Sequence, residues 1–177
     1  MDAKNFMIDL LKKISQLAIE LGDPMRTISE YQRKSGWLGE PPATVEEIKA
    51  VENKLNVKLP PDYKTFVMLS NGFASPIDTE PTFEKLSDID FLKNIDQNLV
   101  EIWNKDGLVD IAKTLSRSIL IAGINEEQYF LLVPPFLKED KWKYWKFANW
   151  IPEEEPYPDL QTYLRDVLKF MKDKSTE

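Results

Sequence analysis

Residues 36–72 read GWLGEPPATVEEIKAVENKLNVKLPPDYKTFVMLSNG. Two helices and a proline-rich turn can be placed in this stretch from its own chemistry. Thr44 and Glu47 form a capping box, in which the threonine oxygen accepts from a free backbone N–H and the glutamate reaches back to the cap. Apolar side chains then recur at Val45, Ile48, Val51 and Leu55, the spacing of one helix face. Asn56 tolerates the left-handed conformation that ends helices. Leu59, Pro60, Pro61 and Asp62 open the second helix, where a proline fits because its missing N–H is not needed. Tyr63, Phe66, Val67 and Ser70 share a face, and Asn71-Gly72 supplies a left-handed exit.

The ordered set Pro42, Glu47, Ile48, Glu52, Leu55, Leu59, Pro60, Tyr63, Phe66, Asn71 and Gly72 resembles the signature of the SUKH superfamily. That superfamily groups a yeast cell-wall-synthesis regulator with bacterial immunity proteins of polymorphic toxin systems. The resemblance implies an α+β domain with N-terminal helices on a twisted antiparallel sheet and a closing C-terminal helix. It also implies a non-enzymatic binder without a cofactor, whose partner is a cognate toxin neutralised by stoichiometric binding. Glu47, Glu52, Leu59, Pro60, Tyr63, Phe66, Asn71 and Gly72 are then expected mainly to build the fold.

Composition narrows the chemistry independently. The chain has 177 residues, 42% hydrophobic and 11% aromatic, which are values of a globular domain. A chain of this length is most often one domain, able to bury about 70% of its unfolded surface. It has no cysteine, which excludes disulfides, thiolate nucleophiles and cysteine-based metal sites. It has no histidine either, which removes the commonest general base, metal ligand and pH switch. The net charge of −7 disfavours a nucleic-acid partner and favours a basic protein. Mild acidity also keeps many proteins soluble, and that reading stands beside the functional one. Asp2, Asp9 and Glu20 interrupt the N-terminal apolar residues, so no signal segment is expected there, and no apolar run is long enough to span a membrane. The expected location is the cytoplasm, as a monomer or weak dimer.

Taken in order, the chain begins with an amphipathic helix over 5–21, followed by a short helical stretch over 27–33. Trp37 anchors the crossing into the capped helix. A short strand is expected over 82–86. Ser87 and Asp90 read as a helix start, with Asp88 and Asp90 supplying favourable negative charge at its N-terminus. Helical spacing continues through Phe91, Leu92, Ile95, Leu99, Ile102 and Trp103, broken near Asn94. Residues 118–124, 128–133 and 143–147 read as strands, the first an apolar run of a largely buried kind. Pro158-Asp159 starts the final helix, with Leu160, Tyr163, Leu164, Val167, Leu168 and Met171 on its buried face. The divisions of this single domain over 1–177 are a helical extension over 1–35, signature helices over 36–72, an acidic helical and loop region over 73–117, antiparallel strands over 118–150 and a closing helix over 158–173. The helices are expected on one face of the sheet.

No glycine-rich phosphate loop or nucleophile elbow occurs. Asp88-Ile89-Asp90 begins a calcium-loop pattern that nothing completes. Paired carboxylates could in principle hydrolyse glycosides, but with thirty acidic residues close pairs arise by chance. Trp142, Trp145 and Trp150, interleaved with lysines, read as sheet packing rather than a stacking platform. The acids are unevenly placed. Between Phe73 and Asp110 there are nine acids and three lysines, which carries most of the net charge. Glu153, Glu154 and Glu155 form a second cluster. Either is a solvated face or a field that meets a basic toxin, for example a nuclease with a positive cleft. The residues expected to face a partner are Asp88, Asp90, Glu126, Glu127, Glu153, Glu154 and Glu155; no catalytic or metal-binding residue is assigned. A regulatory scaffold and a carboxylate-based hydrolase are the alternatives.

Overall fold

The computed structural model describes residues 3–22, 28–105, 107–137, 140–148 and 156–175. The order of elements is α1 (Ala3–Leu21), α2 (Glu30–Ser35), α3 (Val45–Leu55), α4 (Pro61–Val67), β1 (Asp90–Phe91), α5 (Leu92–Ile95), α6 (Gln97–Lys105), α7 (Val109–Arg117), β2 (Ile119–Ala122), β3 (Gln128–Val133), β4 (Lys143–Ala148) and α8 (Leu160–Lys174). The strands form an antiparallel meander, with sheet order following chain order. This is an α+β architecture.

The capped helices form as their local chemistry dictates. Thr44 Oγ1 accepts from the Glu47 N–H while Glu47 Oε2 accepts from the Thr44 N–H, and Asn56 closes α3 at φ 52°. Pro61 sits in the first turn of α4. Asp159 caps α8 by accepting from the Thr162 N–H. Ile48, Val51 and Leu55 are buried, whereas Val45, at the first position of α3, is exposed. Gly72 does carry the left-handed conformation, at φ 108°. It lies beyond a tightened last turn in which Leu69 and Ser70 both donate to the Phe66 carbonyl, so it shapes the following turn and does not itself cap α4.

Both faces of the sheet are covered, which differs from the expected single helical layer. Alternate side chains explain it. Ile119, Ile121, Phe130, Leu132 and Tyr144 face a large core built with α1, α3, α4 and α8. Leu120, Leu131, Trp145 and Phe147 face a smaller core closed by α5, α6 and α7 through Leu92, Leu99, Trp103 and Leu115. All four residues of β2 are buried, so its sequence shows no alternation, as expected of a strand buried on both sides. The larger core contains a chain of ring contacts. Phe66 meets Phe83 at 4.8 Å between centroids, Phe83 meets Phe130 at 5.5 Å, and Phe130 meets Tyr163 at 4.1 Å.

Two local expectations are corrected. Residues 82–86 do not make a strand; Phe83 forms isolated bridges to Phe73 and to Ala122. Asp88 and Asp90 are not at the N-terminus of a helix. Asp90 and Phe91 pair with Leu120 and Ile119, which holds the chain extended, and α5 starts only at Leu92. The helical run that follows breaks at Asp96 rather than Asn94. The short second helix begins at Glu30. Trp145 belongs to the smaller core, Trp142 packs partly against the larger one, and Trp150 is outside the described residues.

Asp62 joins three distant parts of the chain. Its carboxylate accepts from the Tyr144 hydroxyl on β4 at 2.8 Å and from the Leu160 N–H at the start of α8 at 3.0 Å. Burial and the Asp62 carboxylate both push the Tyr144 hydroxyl well above the usual tyrosine range, so it stays a proton donor. Asp62→Ala is expected to leave a buried hydroxyl and a helix N–H without their acceptor, costing about 2–4 kcal/mol. Thermal unfolding should show a fall of roughly 5–12 °C; Asp62→Asn should lose less.

Candidate partner-binding surface

The signature residues serve the fold, each in an identifiable way. Leu59, Tyr63 and Phe66 are buried in the larger core. Asn71 Oδ1 accepts from the Leu86 N–H at 2.8 Å, tying the end of the α4 region to the following loop. Glu52 is the informative case. It lies on α3 at 5% exposure, yet its carboxylate is satisfied on both oxygens. The Leu59 N–H donates to Oε1 at 3.0 Å, Lys64 to Oε1 at 3.2 Å and Lys58 to Oε2 at 2.9 Å. Burial pushes the carboxyl upward, but the two lysines and the backbone N–H outweigh it, leaving Glu52 below the usual carboxylate range. The pair of helices is thereby locked through the turn that joins them. The Tyr63 hydroxyl, by contrast, is buried with no hydrogen-bond partner among the described residues.

The acidic residues divide by what they touch. Asp90 is committed to the fold. It pairs with Lys54 at 3.1 Å and accepts from Phe91 N–H and Asn94. Burial raises its carboxyl, and these donors outweigh that and hold it low. Asp88 is exposed, bonded by the neighbouring Ser87 hydroxyl. Glu126 and Glu127 are exposed on the β2–β3 turn, and Glu126 Oε2 accepts from the Thr82 N–H at 3.0 Å. Glu153, Glu154 and Glu155 lie outside the described residues.

Glu84 connects these groups and was missed by sequence reasoning. It is half-buried, and Oε1 accepts from the Ile124 N–H at 2.9 Å. Burial pushes its carboxyl above the usual range. The Ile124 N–H opposes that, and the Glu126 and Asp88 carboxylates add to it. Glu84 thus lies between the Asp88 and Glu126 carboxylates in a patch of negative charge assembled from residues up to forty-two apart in the chain. The only sequence signal for Glu84 was its place in the acid-rich region. A separate groove of about 1160 Å³ runs between α1, α2 and residues 36–42, with Tyr31, Trp37 and Pro41 on its walls.

The patch around Glu84 repels anions and attracts positive charge. The signature geometry of α3 and α4, with the meander behind it, coincides with a match of the SMI1 / KNR4 family (SUKH-1) pattern over residues 42–166. The chain belongs to the SUKH-1 family. No curated protein matches it closely enough to count as a relative. For a SUKH-1 chain, the match takes in α3 through about the first half of α8 and leaves α1 and α2 outside. No helix among the described residues is long and apolar enough to cross a membrane.

The two perturbed glutamates carry opposite pH signatures. Glu52 is held below the ordinary value of 4.5, so its stabilisation is complete above that value and is lost as pH falls through the folded-state value. Glu52→Gln should cost about 1–3 kcal/mol at pH 7, and its melting temperature should converge with that of the parent as pH falls through the lowered folded-state value. Glu84 is held above its ordinary value, so the ionised form opposes folding and stability is regained as pH falls through the raised value. Glu84→Gln should raise the melting temperature slightly at pH 7, by the equivalent of about 0.5 kcal/mol or less after solvent screening.

Proposed function

We propose that this protein is an immunity protein that neutralises a cognate, basic toxin by one-to-one binding. Its family is one of generally non-catalytic immunity and regulatory domains, and a protein partner is the role common to both. The observation that carries the narrower reading is the grouping of the exposed Asp88, Glu126 and Glu127 about Glu84, which is bonded to the start of the β2–β3 turn at Ile124. Keeping the half-buried Glu84 carboxylate beside two like charges costs stability. An approaching basic surface would repay that cost and would be steered by the same field. A toxin that acts on nucleic acid has a positive cleft, and carboxylates placed where phosphates would lie block it without chemistry. A regulatory interaction with a neutral or acidic partner would draw nothing from this patch.

The test is calorimetric titration with the C-terminal domain of any large secreted toxin whose gene adjoins that of this protein, at low and high salt. One-to-one binding that weakens with salt is expected. Asp88→Lys together with Glu127→Lys should weaken binding at least tenfold at low salt, while thermal unfolding shifts by no more than about 2 °C because neither residue supports the core. Tight binding that ignores both salt and the double substitution would move the interface away from the acidic patch. Failure to bind would leave a regulatory partner as the better reading.

A further inference from the structure

The connection from β3 to β4 presents two adjacent apolar side chains to solvent. Phe136 is 79% exposed and Leu137 60%. Single exposed apolar residues are ordinary, but these two are neighbours and their backbone is held in place. Arg117, at the end of α7, donates through Nη2 to the carbonyls of both Pro134 and Pro135, and its guanidinium lies 5.1 Å from the centre of the Phe136 ring. The Leu137 N–H donates to the Asp140 carboxylate at 2.8 Å, and the Asp140 N–H donates back to the Leu137 carbonyl at 3.1 Å. Residues 134–137 therefore form a braced apolar knuckle. Its backbone is already ordered by folding, so an association that buries it loses little further entropy.

The same chain carries a receptor of matching character. The groove of about 1160 Å³ between α1, α2 and residues 36–42 has Ile8, Tyr31, Trp37, Pro41 and Pro42 on its walls, with room for several side chains. Tyr31 is itself 74% exposed. Trp37 is set by an edge contact with Phe73 at 5.6 Å and lies against Gly39, where a Cβ would come within 2.5 Å of Nε1. Its indole N–H has no hydrogen-bond partner among the described residues, an unused donor on the groove wall. Almost all of the wall precedes residue 42, so the groove belongs to the part of the chain outside the family match. Charge pairs the two surfaces. Beside the knuckle, Lys141 and Lys143 are exposed with no acidic partner among the described residues, and Lys143 stands opposite Val133, one residue before the prolines. With Arg117 they set three cations against the carboxylate of Asp140. The groove reverses the sign, with Glu20 and Glu40 on its walls against Lys12. Glu40 holds only a 3.5 Å surface pair with Lys85.

We propose that the braced knuckle of one copy inserts into the aromatic groove of a second copy of this chain. The two surfaces are different parts of the molecule, so the contact is heterologous: a pair still has one free knuckle and one free groove, and longer chains or a ring can follow. A four-residue anchor buries less than a standard interface, so the association is weak and set by concentration. It is independent of the toxin reading above. The test is sedimentation equilibrium of the full chain from about 10 µM to about 1 mM, where species larger than a dimer are expected at the upper end. Phe136→Ser with Leu137→Ser should weaken association at least tenfold, and so, separately, should Tyr31→Lys with Gln16→Lys. Melting temperatures should be unchanged, because all four side chains are exposed. Mixing the two double variants brings together one intact knuckle and one intact groove. A one-to-one complex and nothing larger is then expected, with the Trp37 indole N–H signal of the knuckle variant shifting in a nitrogen–proton correlation spectrum. A monomer throughout the range would overturn the proposal, as would a dimer that never grows, which marks a closed symmetric contact. So would a groove variant that associates like the parent, a mixture that stays monomeric, or a mixed complex that leaves the Trp37 signal in place.

Discussion

The carboxylate of Asp62 is the constraint on which the arrangement of layers depends. It sits at the first turn of α4, inside the proline-rich turn, and its two oxygens take one donor from β4 and one from the start of α8. Those donors lie 82 and 98 residues away. A hydrogen bond to a charged acceptor is stronger than a neutral one, and a buried tyrosine hydroxyl that cannot ionise is a dependable donor. This one group therefore sets the position of the signature helices relative to both the sheet and the closing helix. Around it, β4 is completed on its outer side by backbone bonds between Tyr144 and Tyr157, which cover part of an edge that would otherwise offer free donors and acceptors.

Covering the sheet on both faces has a consequence for where function can reside. The strands offer little free surface, so polar chemistry is pushed to the loops that connect them. The loop over 75–82, the segment from Glu84 to Asp88 and the β2–β3 turn meet at one end of the meander, joined by backbone bonds from Thr82 and Gly123 and by the bond from Ile124 to Glu84. Scaffold and surface thus divide cleanly. The family signature lies in the scaffold, and the charged groups that a partner could meet lie on what the scaffold holds.

What the sequence discloses follows the range of the interaction concerned. The Thr44–Glu47 box and the Asp159 cap are satisfied within three residues, and both were legible as patterns. The fully apolar run over β2 foretold burial, although it did not reveal that the second cover would be α5 to α7. β1 was not legible, because two residues carry no periodicity and only pairing with β2 makes them a strand. The same limit applies to the surface. Asp88, Glu126 and Glu127 could be named as exposed acids, but nothing local distinguishes them from Asp90, which Lys54 claims from another helix. Glu84 gains its character from burial and from a backbone donor forty residues away.

The segment that matches the family and the segment that shares the core are not the same length. The family pattern ends at residue 166, partway along α8, and starts after α1. Yet Met7, Leu11 and Ile14 of α1 are as deeply buried as any residue of the signature, and Val167, Leu168 and Met171 complete the face of α8 that belongs to the same core. Arg165 lies over the Phe6 ring at 4.6 Å, and Ser15 reaches from α1 to the Leu38 N–H. The two terminal helices act as a clasp around the rest of the domain. A fragment trimmed to residues 42–166 would carry an uncovered apolar seam and would be prone to bury it against other copies of itself, so cutting the chain at the family limits would yield a sticky product rather than a smaller domain.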